Sequence, residues 1–307
     1  MSQYRVPGRG RVDTSRPVNF TFDGRSYRGA QGDTVASALL ANGVHLMGRS
    51  FKYHRPRGAI AAGSEEPNAL IGTRRGPGRF EPNTRATVQE IWNGLETTSQ
   101  NKFPSLKWDV GAVNDAAYMM FSAGFYYKTF MWPKSFWNKV YEPFIRAAAG
   151  LGVAPTEEDP DQYASRYLHC DLLIVGAGPA GLAAARAALA EGLKIVIVDE
   201  NSEPGGTLLS EPQARIDGRP AWDWLAAEVA ALKAAGVRIM TRTTAIGYYH
   251  QNMLGLCERV TDHLPLLPAD TPRERMWRGG GGGGGGAGGA LGRTPGGPRP
   301  RPPGGGA

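Results

Sequence analysis

A strand, a glycine turn, a helix and a second strand follow one another between Leu172 and Val198, and this run limits the possible folds more than any other feature. The turn reads Gly176-Ala177-Gly178-Pro179-Ala180-Gly181, a GxGxxG pattern that is weak alone and informative only in context. Here the apolar strand Leu172 to Val175 precedes it and an Ala- and Leu-rich helix from Pro179 to Glu191 follows. A second apolar strand, Lys194 to Val198, then ends in Asp199-Glu200. Such an order predicts a parallel βαβ crossover. Gly176 permits the tight turn, Gly178 lets the backbone approach a pyrophosphate, and Gly181 lets the helix pack on the strand. Amides at the helix start, including that of Ala180 after the helix-starting Pro179, offset the diphosphate charge. Asp199, with Glu200 as the adjacent alternative, is placed to accept the adenosine ribose hydroxyls. A carboxylate there repels a 2′-phosphate, which favours NAD or FAD over NADP. Pro204-Gly205-Gly206-Thr207 resembles the glycine pair that packs against the cofactor in two-dinucleotide flavoproteins.

The other segments bound the class. With 307 residues and 41% hydrophobic content the chain can fill two cores. Its two cysteines, Cys170 and Cys257, form no CxxC pair, so neither a disulfide scaffold nor a cysteine metal site is expected, and a reducing compartment suits them. The net charge of +7 invites a nucleic-acid reading, but three of those charges, Arg293, Arg299 and Arg301, lie in an odd tail. The arginines at the amino end, Arg5, Arg9, Arg11 and Arg16, lack interleaved stacking aromatics and read as a solvated or subunit-contacting arm. No nucleic-acid partner is expected. That end also lacks the apolar core of a secretory signal, which predicts a cytoplasmic protein. Tyr118 to Trp137 is apolar, but Lys128, Pro133 and Lys134 argue for a buried or interface helix and against a membrane span.

Val18, Phe20 and Phe22 alternate as in a strand, and Asp23-Gly24 signals a hairpin. Thr34 to Asn42 reads as a short helix capped by Asp33 or Thr34 and stopped at Gly43. Residues 49 to 80, rich in Arg, Gly and Pro, read as ordered loops between short strands. The following stretch, to about Ala149, is crowded with rings, among them Trp92, Trp108, Tyr118, Trp132, Phe136 and Trp137. Packing within the chain is the expectation, with a substrate box as the alternative and a subunit interface between the two. Ala154 to Asp161 reads as a linker, Ala221 to Ala235 as a helix, Val237 to Thr241 as a strand and Thr244 to Val260 as a hairpin. Residues 279 to 307 contain 16 Gly and 5 Pro. Such a segment loses more chain entropy on ordering than its burial returns, so disorder is expected.

With these motifs in place, residues 4 to 277 resemble the amino-terminal third of the alpha subunits of the heterotetrameric sarcosine oxidase family. The likeness is carried by Ser50-Phe51-Lys52-Tyr53-His54-Arg55-Pro56-Arg57-Gly58, Glu65-Glu66-Pro67-Asn68-Ala69-Leu70, Tyr141-Glu142-Pro143-Phe144-Ile145-Arg146 and the GAGPAG turn. The resemblance implies a small β-grasp, ferredoxin-like domain without a cluster, since Pro56 to Asn68 supplies no cysteine ligand. It also implies non-covalent NAD on this subunit, and FAD and FMN in the assembled complex with beta, gamma and delta subunits. The implied reaction is oxidative demethylation of sarcosine to glycine, with reduction of O2 and transfer of the one-carbon unit to tetrahydrofolate.

The expected fold class is therefore α/β: a basic arm (1–16), a ferredoxin-like domain (17–95), an aromatic-rich helical connector (96–165), an incomplete Rossmann-like domain (166–278) and a disordered tail (279–307). The family continues past Trp277 into a strand that closes the nucleotide sheet and into a folate-binding half. Neither follows here, so the chain alone is expected to be inactive. No residue stands out as a catalytic acid or base. His54 reads as a structural histidine, with a role facing a flavin or a carboxylate substrate as the alternative, and Lys52, Arg55 and Arg57 read as a solvated or subunit-contacting face. Two other readings stay open: an FAD-binding subunit of a related amine or opine dehydrogenase, and a non-catalytic truncated remnant. The missing cysteines count against the first of these, because such relatives are expected to keep a cluster.

Overall fold

The computed structural model describes residues 4–6, 9–121, 132–143, 145, 152–265, 268–280, 285–286 and 290–291. The chain divides into two units, Met1–Gln162 with Thr261–Thr271, and Tyr163–Val260 with Pro272–Ala307.

In the first unit β1 (Asp13–Phe22) and β2 (Arg25–Gln31) form the hairpin that Asp23-Gly24 signals. The alternation is realised, with Val18, Phe20 and Phe22 all buried. β1 starts earlier than its apolar residues suggest, at Asp13, because Gln31 at the end of β2 still offers Asp13 a partner. The basic arm is thus partly structured. Arg5 is no solvated charge either: its Nη2 lies 2.5 Å from the buried Asp33 carboxylate. Helix α1 (Val35–Ala41) opens on a reciprocal cap, in which Thr34 Oγ1 accepts the Ser37 amide and Ser37 Oγ accepts the Thr34 amide. Gly43 follows its end at φ +77°.

Short strands β3 (Gly48–Arg49) and β4 (Pro56–Arg57) pair in the loop region, followed by β5 (Leu70–Arg74), β6 (Phe80–Arg85) and β7 (Glu96–Ser99). The main sheet runs β2-β1-β7-β5-β6, with β1 and β7 parallel and the other neighbours antiparallel. It reaches past residue 95 because Thr97 and Thr98 supply the central pairing between β1 and β5. Val35, Ala38 and Leu39 of α1 pack with Phe20, Ile71 and Leu95 into one core.

The aromatic stretch departs from expectation. Trp92 is buried, yet Trp108 is 74% and Trp132 is 84% exposed. Past β7 the described parts form short helical pieces, the α-turn Val113–Ala116 and 3-10 and π turns such as Lys134–Phe136 and Trp137–Tyr141. Among the described residues Trp108 and Trp132 enter no core, while Phe136 and Tyr141 meet at 6.2 Å between ring centroids. The middle of the Tyr118 to Trp137 helix expected from sequence lies outside the described residues.

The second unit opens with β8 (Tyr163–His169), a strand that the sequence reading did not anticipate. β9 (Leu172–Val175), helix α2 (Pro179–Leu189) and β10 (Ile195–Val198) form the expected crossover. A two-residue hairpin, β11 (Arg215–Ile216) and β12 (Arg219–Pro220), turns through Asp217-Gly218, both at positive φ. Helix α3 (Ala221–Ala234) then leads to β13 (Arg238–Met240), parallel to β10. β14 (Thr243–Tyr249), β15 (Met253–Arg259) and β16 (Glu274–Gly280) make an antiparallel meander whose last strand pairs in parallel with β8.

Both faces of the parallel sheet are covered. Ile174 and Ile197 pack under Leu182, Leu225 and Leu232 of the helices, while Leu173, Val196 and Val198 pack against Leu254, Leu256 and Trp277 of the meander. This is why β9 and β10 read as unbroken apolar runs.

The tail is not wholly irregular. Gly279 and Gly280 complete β16 because Leu254 and Met253 of β15 still offer hydrogen-bonding partners there. β17 (Gly285–Gly286) pairs with β18 (Ala290–Leu291), which lies antiparallel to β9 at Leu173 and Ile174. An unpaired strand edge accepts any backbone, glycine included. The nucleotide sheet thus runs β13-β10-β9-β18-β17.

Candidate functional site

The glycine turn leaves the end of β9 with Gly176 at φ +98°, a conformation that L side chains rarely adopt. The Gly176 amide donates to Val198 O at 2.8 Å, which ties the turn to β10. Gly181 sits where a methyl group would overlap the Gly176 carbonyl oxygen, so the helix approaches the strand as closely as a backbone allows. Gly178 caps α2 without a side chain, and Pro179 takes the first helical position, where a missing N–H costs nothing.

A helix start leaves its first amides without intrahelical acceptors. Leu182 N is the first to return, to Gly178 O at 3.0 Å. The amides of Gly178, Ala180 and Gly181 have no acceptor among the described residues. Nothing lies within 4 Å of the position a Cβ on Gly176 would take. The bend is therefore open, with three donors and the positive end of α2 gathered at one place.

The second glycine pair joins this site. Gly205 N donates to Ala177 O at 2.9 Å, and a Cβ on Gly206 would come to 3.0 Å of Gly178 Cα. Gly205 at φ +139° and Gly206 at φ +54° make that contact possible. Thr207 is on the same segment, but its side chain is exposed and the structure gives it no bond to the turn. Ala177 itself is fully buried.

Asp199 also has partners within the protein. Its carboxylate is buried at the turn, but donors within the protein already bind it: Ala177 N at 2.6 Å to Oδ2, and Asn201 N at 2.8 Å and Nδ2 at 3.0 Å to Oδ1. An Asp side chain is short, so at the end of β10 it reaches the neighbouring turn first. With about four acceptor sites on a carboxylate, these three donors leave room for about one more. Asp199 is thus first a brace for the glycine turn. Asn201 was missed, although an Asp followed two residues later by an Asn carrying the bonded amide is a recognisable Asx turn. Glu200 stays half-buried beside it, and its carbonyl accepts Arg259 Nη2 at 2.8 Å.

His54 behaves as a structural histidine. At φ +53° its Nδ1 lies 2.6 Å from Asp109 Oδ2, and the other Asp109 oxygen accepts the amides of Phe103 and Gly111. Lys52 and Arg55 lie 4.9 and 4.7 Å from the Tyr53 ring centroid, and Arg55 pairs with Asp115 at 2.7 Å. This loop belongs to the first unit. Among the described residues, no helix is long and apolar enough to cross a membrane.

Comparisons with known proteins agree with this division. Residues 171–260 match the family model of FAD dependent oxidoreductases, and residues 15–102 match that of a 2Fe-2S iron-sulfur cluster binding domain. The chain is 55% identical over 279 residues to the sarcosine oxidase subunit alpha of Rhizobium meliloti (strain 1021), covering 91% of this chain and 28% of the relative. It is 34% identical over 276 residues to that of Corynebacterium sp. (strain U-96), covering 87% of this chain and 23% of the relative. It matches the amino-terminal portion of these longer subunits and spans less than a third of their length. Among solved structures, L-proline dehydrogenase from P. horikoshii aligns with 89% of this chain and 40% of its own, at a TM-score of 0.49 and 14% identity.

The residues matched to the iron-sulfur cluster family model contain no cysteine. Such clusters are held by cysteine thiolates, and neither cysteine of this chain, Cys170 or Cys257, falls within residues 15–102.

Proposed function

We propose that this chain is the dinucleotide-holding, amino-terminal part of a sarcosine oxidase type alpha subunit. The observation that carries the reading is the open bend, where the amides of Gly178, Ala180 and Gly181 lack acceptors opposite the Gly205–Gly206 pair. A pyrophosphate accepted there replaces water on three aligned donors, at roughly 1.5 to 3 kcal/mol for each charged hydrogen bond. Gly176, Gly178 and Gly181 shape the seat. Pro179 and Ala180 start the helix, while Gly205, Gly206 and Thr207 form its opposite wall. Asp199 holds the turn and keeps about one acceptor position for a ribose hydroxyl, with Glu200 beside it.

The bound group is proposed to be non-covalent NAD, as the family resemblance implies. FAD is the second reading, favoured by the FAD dependent oxidoreductase match across this same segment. A bound nicotinamide or flavin would supply two-electron chemistry. The protein's own part is to bind, orient and shield the dinucleotide. The ferredoxin-like unit is proposed to carry no cluster.

The full reaction is proposed for the whole assembly: oxidative demethylation of sarcosine to glycine, reduction of O2 and passage of the one-carbon unit to tetrahydrofolate. FAD and FMN, and beta, gamma and delta subunits, belong to that assembly. Exposed rings such as Trp108 and Trp132 suit burial against another subunit. A cytoplasmic location fits the free cysteines.

Heating the purified chain and chromatographing what it releases tests the reading. NAD supports it, FAD moves it to the second reading, and a folded chain that releases no dinucleotide refutes both. Co-expression with the other subunits, followed by peroxide release from sarcosine, tests the assembly.

A further inference from the structure

Plant-type iron-sulfur sites place cysteine thiolates at C-x4-C-x2-C, with a fourth further along the chain. Laid on the loop between α1 and β5 from Ala61, this spacing reaches Glu66 and Ala69. These three residues converge. Glu66 Oε2 accepts the amides of Ile60 at 2.6 Å and Ala61 at 2.8 Å, and Oε1 accepts those of Asn68 at 2.7 Å and Ala69 at 3.1 Å. Glu66 is fully buried. The loop around it is fastened from outside, since Arg85 Nε donates to Glu66 O, Thr87 Oγ1 donates to Gly63 O and Ala86 N donates to Ala69 O.

A buried carboxylate without partners is prohibitively costly, and so are buried amides without acceptors. Each solves the other's problem here. An anionic cluster is likewise stabilised by hydrogen bonds that reach its sulfurs. At the ligand spacing this chain offers two methyl groups and one carboxylate, a set that cannot bind iron as a thiolate site does.

We infer that Glu66 is a built-in anion occupying the seat of a cluster, so that loop 60–69 folds around a side chain instead of a metal group. The ferredoxin-like unit then serves as a scaffold and not as an electron carrier. This rests on the cluster-free reading above, and the test separates the two.

The full chain is produced with added iron and sulfide, and iron, acid-labile sulfide and the electron paramagnetic resonance of the dithionite-reduced protein are measured. Amide hydrogen exchange is followed in the same sample. No iron, no sulfide and no signal are expected, together with slow exchange at Ile60, Ala61, Asn68 and Ala69. In Glu66→Gln the carboxamide turns an NH2 group toward two of those donors, so protection there falls by about tenfold or more, and iron with sulfide does not restore it. A reducible cluster in the native chain overturns both readings. Absent iron with fast exchange at the four amides overturns the role of Glu66 alone. Should Glu66→Gln fail to fold, exchange in the native chain still decides.

Discussion

Gly181→Ala tests the close approach of α2 to β9. In an exposed helix interior this change stabilises by roughly 1 kcal/mol, because alanine is the better helix former. Here the added methyl overlaps the Gly176 carbonyl oxygen, and lies 3.1 Å from its carbon and 3.3 Å from Ile174 Cγ2. Both obstacles at Gly176 are backbone and cannot rotate away. Relief requires α2 or the turn to shift, and overpacking of this kind costs about 1 to 3 kcal/mol, occasionally more. The two effects leave a net loss of about 0 to 2 kcal/mol, which lowers Tm by up to several degrees. Binding suffers more. The shift displaces the Ala180 and Gly181 amides, and losing one charged hydrogen bond of about 1.5 to 3 kcal/mol weakens dinucleotide affinity by roughly ten- to hundredfold. Thermal unfolding and nucleotide released per chain are the two readouts. Ala187→Gly, on the exposed side of the same helix, serves as control: it costs roughly 1 kcal/mol in propensity while nucleotide content stays the same. A folded Gly181→Ala protein with unchanged nucleotide content refutes the close-approach argument.

Asp199→Asn removes one acceptor oxygen and turns an NH2 group toward the Ala177 or Asn201 amides, so an unmade buried hydrogen bond of about 1 to 3 kcal/mol appears in both unfolding and dinucleotide titration. An unchanged Tm contradicts the bracing role. Burial works to raise the Glu66 carboxyl, but the amides of Ala61, Asn68, Ile60 and Ala69 together outweigh it and hold the group below its ordinary value. A carboxyl depressed on folding contributes stability above its unfolded value, about 4.3, and loses it as pH falls through the folded value. The gap in Tm between the native chain and Glu66→Gln is therefore full near neutrality and closes in acid; a gap independent of pH speaks against the ionised pair. Asp161 holds Arg75 at 2.8 Å and Arg79 at 2.7 Å, and both Asp161 and Arg75 are buried. Asp161→Ala leaves the buried Arg75 guanidinium the longer approach to Asp262 at 3.9 Å, and up to about 3 to 5 kcal/mol should be lost in denaturant unfolding of the first unit.

The nucleotide half was largely legible because its signals are local. Glycine positions, Pro179 at a helix start and unbroken apolar strands each dictate backbone geometry without help from distant residues. The Asp23-Gly24 hairpin and the Thr34 cap were legible for the same reason. Partners in space were not. Asp199 lies in the expected place, yet which donors reach its carboxylate depends on how the ends of β9 and β10 align. β8 escaped notice because Tyr163–His169 is mostly exposed, and only β16 makes it a strand. The tail glycines joined sheets through backbone edges, which composition does not register. Glu66 stood in sequence only as part of the Glu65-to-Leu70 motif, with no role of its own.

Sequence by itself determined the crossover unit, the glycine seat and the absence of thiolates from residues 15–102, because each follows from side-chain size or identity at a fixed spacing. Only the tertiary structure decided which buried charges are answered and by what. Hydrogen bonds to a carboxylate such as Glu66 or Asp199 exist only once distant backbone amides converge on it, and that convergence is a property of the folded chain.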